Sequence, residues 1–162
     1  MPDDERPSLS VAVVLERERE PNRWEAWRFR LVEVTPQEDA FGDAPRVLRD
    51  DGKLQRTLYP GFAIDLYADE AEGYYLNLSS GTPVWFVKWR IAEDDPSRAW
   101  PETVSLSYNE AGRWLDAQER VDNVPLTPDV TRWLQTFTDE HYRPEPKKRR
   151  RPQSFVAPGQ RQ

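Results

Sequence analysis

Side chains that could carry chemistry are few in this chain, and their spacing does not specify a reaction. The 162 residues include no Cys and a single His, His141. This composition excludes thiolate catalysis, disulfides, Cys-ligated zinc and iron–sulfur clusters, and it argues against a multi-histidine metal site. No serine or acid stands at a recognisable triad spacing from His141. Paired acids such as Asp50-Asp51 and Asp94-Asp95 fall in predicted turns, where carboxylates are usually solvated. We therefore predict a protein that is not an enzyme and uses no cofactor.

A run of cations near the C-terminus is the first candidate binding site. Residues 143–162 hold seven basic residues and one acid, whereas the whole chain holds 23 and 29, which leaves residues 1–142 with a net charge of −12. Such a run suits an anionic partner, namely an acidic protein surface, nucleic acid or anionic lipid. It also fits a solubilising terminus, or a latch on the chain's own acidic body. The predicted partner-binding residues of this tail are Lys147, Lys148, Arg149, Arg150 and Arg151.

Three further groups of residues in the body are candidates for partner binding. Basic side chains alternate with Trp85 and Trp89 in one strand-like segment, a pattern found on single-strand-binding platforms. Because both tryptophans share a face with Val87 and Ile91, however, we expect them to be core. Polar side chains also gather where a strand meets a helix and in the segment 122–125, for which a solvated helix face and a tight turn are the plain interpretations. The predicted body residues are Lys88, Arg90, Asn109, Arg113, Asp122 and Asn123.

Hydrophobic periodicity predicts the elements that must position these residues. Alternation of period two indicates strands, and residues 35–52, with their Pro and Gly and no period, are predicted to be a long loop. The predicted strands are residues 10–16, 24–34, 54–59, 62–67, 74–79, 84–91 and 103–108. Two helices follow. Ser107 and Glu110 fit a capping box, and Thr127 with Pro128 fits an N-cap followed by the first helical position.

These elements predict one α+β domain of residues 10–142. We expect a curved antiparallel β-sheet or a small, partly open barrel of six to seven strands, followed by two C-terminal helices. Residues 1–9 are predicted to be a disordered lead and residues 143–162 a disordered, basic, Pro-rich tail. The acidic N-terminus is unlike a secretory signal, and no stretch approaches the roughly 20 apolar residues of a membrane span. We therefore expect a cytoplasmic protein.

Three segments resemble a known family: YYLNLSSGTPVWFVKWR (74–90), VSLSYNEAGRWLDAQERVDNVPLTPDV (104–130) and EHYRPEPKKRRRPQSF (140–155). Together with VAVVLERERE and NRWEAWRF near the start, they are similar to a bacterial domain family of unknown function, often encoded beside molybdenum-dependent formate dehydrogenase genes. The resemblance brings no catalytic motif. It implies an accessory role in the assembly, maturation or regulation of a redox enzyme, with a redox-enzyme component as the partner. Nucleic-acid binding through the tail is the alternative.

Overall fold

In the part of the chain that the structure describes, the protein folds into two antiparallel sheets, of four and three strands, and three α-helices. The computed structural model describes residues 6–19 and 27–144. The elements are β1 (Ser8–Arg19), β2 (Trp27–Pro36), β3 (Arg46–Asp50), β4 (Leu54–Asp65), α1 (Ala71–Leu78), β5 (Val84–Ala92), β6 (Asp95–Ser105), α2 (Tyr108–Asp116), β7 (Arg120–Pro125) and α3 (Pro128–His141). The predicted α+β class with antiparallel pairing is confirmed. The prediction of one sheet followed by two helices is wrong, because the strands divide into two sheets and the helices alternate with strands.

The two sheets pack face to face, and the core lies between them. The four-stranded sheet has the order β2-β1-β4-β3, and the three-stranded sheet has the order β6-β5-β7. Val13 of β1 pairs with Val34 of β2, and Val87 of β5 pairs with Val104 of β6, so these inward residues meet across the core. Each fully buried aliphatic side chain contributes about 1.5–3 kcal/mol to the free energy of folding.

Helix α3 closes one end of this core with the stripe that the sequence predicts. Val130, Leu134 and Phe137 are buried at i, i+4 and i+7, and the Phe137 ring lies edge-on to Tyr74 of α1 at 5.9 Å. Thr127 caps the helix, since its hydroxyl accepts from the N–H of Val130. The expectation that Trp85 belongs to the core is confirmed as well, because it is buried in the same cluster.

Residues 74–79, predicted to be a strand, instead form the larger part of α1, which ends at Leu78, and its C-cap, Ser79. The buried side of that segment is Ala71, Tyr74 and Asn77, which recur every third residue as on a helix. Asn77 anchors the helix: its amide donates to the carbonyls of Val84 and Leu106 and accepts from the N–H of Val84. Tertiary hydrogen bonds therefore stabilise a helix in a segment whose local alternation predicts a strand.

The segment 122–125, predicted to be a turn between helices, is part of β7. Strand β7 pairs with the central strand β5, which places Asn123 opposite Phe86 and Asp122 opposite Val87. The turn lies earlier, at Gln118, which adopts a left-handed φ of 65° that glutamine seldom takes. The predicted loop 35–52 also contains a strand, β3, which pairs with β4.

Candidate functional site

The six predicted body residues divide between two neighbouring surfaces and one opposite face. Lys88 and Arg90 lie on β5 and Asn123 on β7, on the outer face of the three-stranded sheet, whereas Asp122 shares the inward face of Val87. Asn109 and Arg113 lie on α2, which packs over that outer face: Phe86, Ala111 and Trp114 form a buried cluster there, with Val84 and Val121 packed against it. Five of the six residues therefore lie on α2 or on the sheet face that it covers. Their role in partner binding stays a prediction.

The cations of β5 form ion pairs within the fold. Lys88 Nζ lies 3.4 Å from Glu102 Oε1 and 5.3 Å from the centre of the Trp114 ring. Arg90 donates from Nε to Glu102 over 2.8 Å and from Nη2 to Glu119 over 3.0 Å. The hydrogen bond to Glu102, with the charges of both acids, raises the pKa of Arg90. Trp89 is buried on the other side of the strand. The strand is therefore a packed, internally paired element rather than an open stacking platform.

The capping box predicted at the start of α2 forms with one change. The Ser107 hydroxyl accepts from the N–H of Glu110 over 3.1 Å, as expected. The Glu110 carboxylate, however, accepts from the Ser105 hydroxyl over 2.6 Å, and that hydroxyl in turn accepts from the N–H of Ser107 over 3.0 Å. Ser105 therefore bridges the Glu110 carboxylate and the N–H of Ser107, and it links the end of β6 to the first turn of α2.

The same helix end binds the acidic segment before α1. Ser107 donates its hydroxyl hydrogen to Glu70 Oε1 over 2.6 Å, and Arg113 Nη2 donates to Glu70 Oε2 over 2.9 Å. Asn109 Nδ2 lies 3.4 Å from Glu72 Oε1. The predicted residues Asn109 and Arg113 therefore hold α1 against α2, a structural task that leaves part of each side chain at the surface.

A polar cleft of about 190 Å³ opens beside this network, between the end of β4 and β6. Tyr74 accepts from the N–H of Tyr67 over 3.0 Å, and burial, with the nearby charges of Glu70 and Glu110, raises the pKa of Tyr74 to about 12. Tyr74 is therefore protonated at neutral pH. The polar groups lining the cleft include Asp65, Glu70, Tyr74, Thr103, Ser105 and Glu110.

Sequence reasoning missed most of this cleft. Of its polar residues only Glu110 was grouped with the strand-to-helix junction, because segments 65–74 and 103–110 become neighbours only through the docking of β4 on β6 and of α1 on α2. Chemically the cleft offers three carboxylates, those of Asp65, Glu70 and Glu110, and Glu70 is paired with Arg113, so the cleft favours a small cationic or hydrogen-bond-donating group. The hydroxyls of Ser105 in the cleft and of the nearby Ser107 both donate to carboxylates, and the one imidazole of the chain, that of His141, lies at the end of α3.

His141 borders two open hollows where the described chain ends. Its ring centre lies 4.2 Å from that of Phe137, and Nε2 lies 3.9 Å from Glu140. One hollow, of about 490 Å³, includes Tyr67 and Asp69, and the other, of about 510 Å³, includes residues 141–144. Among residues 6–19 and 27–144, no group of three or more His, Asp or Glu side chains is arranged to hold a metal ion.

An exposed stripe on α2 stands out from the paired charges around it. Tyr108 is 55% exposed and Leu115 is 57% exposed, and they lie at i and i+7 of the helix. Gly112 lies between them at i+4, and a Cβ built there would have no heavy atom within 4 Å. The stripe Tyr108–Gly112–Leu115 is therefore a shallow notch with an apolar side chain at each end. Asn109 and Arg113 flank it.

The predicted tail site, Lys147, Lys148, Arg149, Arg150 and Arg151, lies outside the described residues. None of the helices in the described part of the chain is both long and apolar enough to cross a membrane.

Most of the chain matches one protein-family model. Residues 10–151 match the model of a family described as "Protein of unknown function (DUF3305)". No curated protein matches the chain, and no solved structure matches it either. The match covers both sheets and all three helices, so the α2 surface, the cleft and the cation run through Arg151 all belong to the region that the family model spans.

Proposed function

We propose that this chain, which belongs to the DUF3305 family, is a non-catalytic accessory protein that docks on a component of a redox enzyme. The proposed partner is a formate dehydrogenase-type enzyme or one of its maturation factors, in a bacterial cytoplasm. The protein would act in the assembly, maturation or regulation of that enzyme through protein–protein contacts.

The observation that carries the docking proposal is the exposed stripe of α2. Tyr108 and Leu115 each leave more than half of a large apolar surface in water. Burying such side chains against a partner removes that surface from solvent, at about 25 cal/mol per Å². Gly112 allows close approach of a partner backbone between them. An apolar centre with polar groups at its margin is the usual anatomy of a protein–protein interface.

The surrounding polar residues support the same surface. Asn109, Arg113 and Asn123 lie beside the stripe or on the sheet face beneath it, and Arg113 is a residue type enriched at interface hot spots. The ion pair of Arg113 with Glu70 is partly exposed and contributes little to folding stability, so the Arg113 guanidinium is available to bind a partner. The cations Lys147–Arg151 would add long-range attraction and speed the encounter with an acidic partner.

The choice of partner rests on the family resemblance. Segments 74–90 and 104–130 resemble a bacterial family often encoded beside molybdenum-dependent formate dehydrogenase genes, and these segments contain α2, β7 and most of α1 and β5. The proposed docking surface thus lies in the part of the chain that carries the resemblance. A non-catalytic role is supported by the pairing of Lys88, Arg90 and Glu110 within the fold.

Affinity purification from the native host tests both parts of the proposal. The full chain is tagged, and the co-purifying proteins are compared for the wild type, Leu115→Asp and Val47→Asp. Val47 is the matched control, because it is 53% exposed on β3, away from α2. We expect a dehydrogenase subunit or maturation factor with the wild type and Val47→Asp, and at least about a tenfold loss with Leu115→Asp.

The outcomes separate the partner from the surface. Absence of any dehydrogenase component from all three samples would overturn the partner assignment. Equal recovery of a dehydrogenase component with Leu115→Asp and with the wild type would support the partner assignment and overturn docking through α2. Circular dichroism of both variants checks that each is folded before the recoveries are compared.

A further inference from the structure

We propose that the outer face of the four-stranded sheet is a second docking surface, which accepts an acidic segment of a protein partner. The arginine face, as we call it, consists of Arg30, Arg46, Arg49 and Arg56 around Glu16. It lies on the side of the molecule opposite α2, because the two sheets pack with their inner faces together and α2 covers the outer face of the other sheet. It is therefore independent of the α2 surface and can be tested without it.

Strand register brings these residues into rows across the sheet. Glu16 of β1 pairs with Arg30 of β2 and with Arg56 of β4, and Arg56 pairs with Arg49 of β3. Residues paired directly across strands point to the same face, so all four side chains form one row. Three inter-strand spacings give this row a length of about 14 Å. Arg46 stands in the next row, opposite Leu58.

The arginines stand on an apolar floor that holds them in place. Ala12, Val14 and Leu58 are buried on this side of the sheet, with Val32 and Phe41 packed against them. Within the described residues none of the α-helices packs on this face, and only the short 3-10 helix Asp39–Phe41 borders it, so the aliphatic stems of the arginines lie along the floor while their guanidinium groups reach the surface. Arg30 is 60% exposed and Arg49 55% exposed.

Charge on this face is unbalanced toward the positive. Arg30 and Arg56 both bind the same oxygen of Glu16, at 2.7 and 3.2 Å, so two guanidinium groups share one carboxylate. Arg49 pairs with Asp51 at 3.1 Å, between side chains that are both about half exposed. Exposed pairs of this kind are worth about 0–1 kcal/mol, so a partner carboxylate can replace Asp51 at little cost. The Nε of Arg56 is buried without an acceptor.

This positive face belongs to a body with a net charge of −12 in residues 1–142. Anions are therefore repelled by the body as a whole and attracted to the arginine face, which favours one orientation of approach. The planar guanidinium fork matches the two oxygens of a carboxylate, and arginines over an apolar floor are typical of protein interfaces.

The interleaved acids favour a protein partner over nucleic acid. Glu16 lies within the arginine row, and Glu33 pairs with Val14 in the next row, so carboxylates alternate with guanidinium groups on the face. A continuous phosphate backbone would meet these carboxylates at close range, whereas an acidic peptide segment can set its backbone N–H donors against them. Leu48, 46% exposed beside Arg49, adds an apolar contact of the kind protein partners use.

Binding of a decaglutamate peptide to the full chain tests the proposal. Because the tail cations also attract polyanions, the reference protein is a full-length variant in which Lys147–Arg151 are changed to Gln. In that background we compare Arg46→Gln/Arg49→Gln with the control Arg132→Gln, an exposed arginine of α3. We expect about five- to tenfold weaker peptide binding for the arginine-face variant at low salt and no change for the control.

Nuclear magnetic resonance maps the bound peptide on the same reference protein. We expect the amide resonances of Arg30, Glu16 and Arg56 to shift on peptide addition, while those of α2 stay in place. Equal peptide binding by the arginine-face variant and the reference, or shifts confined to another surface, would overturn the proposal. Tighter binding of a decathymidylate than of the peptide, lost on the same substitutions, would overturn the choice of a protein partner.

Discussion

The hydroxyl of Ser107 donates a hydrogen bond to the carboxylate of Glu70 while it accepts one from the N–H of Glu110. One buried side chain, 1% exposed, therefore caps α2 and also fastens the segment before α1. The contact ties α2 to the segment before α1 at the place where the exposed stripe of α2 begins. It also gives the fold a point at which single substitutions should have large effects.

Gly73 should be far less tolerant of a side chain than Gly112, although both lie within helices. A Cβ at Gly73 would lie 2.1 Å from the Ser107 hydroxyl oxygen, so Gly73→Ala must displace α1 or break the cap. We expect Gly73→Ala to destabilise the fold by about 1–3 kcal/mol. Gly112→Ala, with open space around it, should stabilise it by about 0.5–1 kcal/mol through the better helix propensity of Ala. Urea denaturation of both variants measures the difference, and equal stabilities would contradict the packing of α1 on α2.

Ser107→Ala should cost more than Thr127→Ala, although both residues are helix N-caps. Loss of an N-cap alone costs about 1 kcal/mol. Ser107→Ala also removes the hydroxyl that donates to Glu70, so we expect a total near 2 kcal/mol. A double-mutant cycle with Glu70→Gln isolates the added contribution, since the two losses should not be additive. Additive losses would show that Glu70 and Ser107 do not interact in solution.

Glu16 should matter for stability because it is the shared acceptor of two arginines. Its side chain is buried, and Glu16→Gln would leave the partly buried Arg56 without an anionic partner. We expect a loss of about 1–3 kcal/mol. The control is Glu33→Gln, an exposed acid on the same face, whose effect should stay within about 0.5 kcal/mol. High salt should not remove the difference, because the Glu16 carboxylate is shielded from solvent. A Glu16→Gln protein as stable as the Glu33→Gln control would rule out the buried ion cluster.

The sequence carries enough information for most strands and for the two later helices. Alternation in 84–91 and the stripe Val130–Leu134–Phe137 are local patterns that burial reproduces. Segment 74–79 misleads because its alternation suits a strand, while the amide of Asn77 binds partners seven and 29 residues away. Such long-range hydrogen bonds produce no periodic pattern in the sequence, so they cannot be predicted from hydrophobic periodicity.

The binding surfaces were less accessible to sequence reasoning than the fold. The junction residues Asn109 and Arg113 were found because they cluster within one helical turn. The row Arg30–Glu16–Arg56 was missed, since its members are 14 and 40 residues apart and meet only through strand register. The register between β1 and β2 also shifts by one residue, because Val14 pairs with Glu33 and Leu15 with Leu31, so even correct strand assignments would misplace the row.

Stability should fall in alkaline solution because of Tyr74. Burial raises the pKa of Tyr74 from 10.0 to about 12, so between these values the unfolded chain loses a proton that the folded chain keeps. The unfolded state then binds fewer protons, and the free energy of unfolding decreases as pH rises from 10 toward 12. Tyr74→Phe should therefore show a shallower decrease than the wild type in urea denaturation across this range. Burial also raises the pKa of Tyr59, so Tyr59→Phe/Tyr74→Phe should be shallower still. Parallel pH profiles for the wild type and Tyr74→Phe would show that the hydroxyl beside Glu70 and Glu110 is open to solvent.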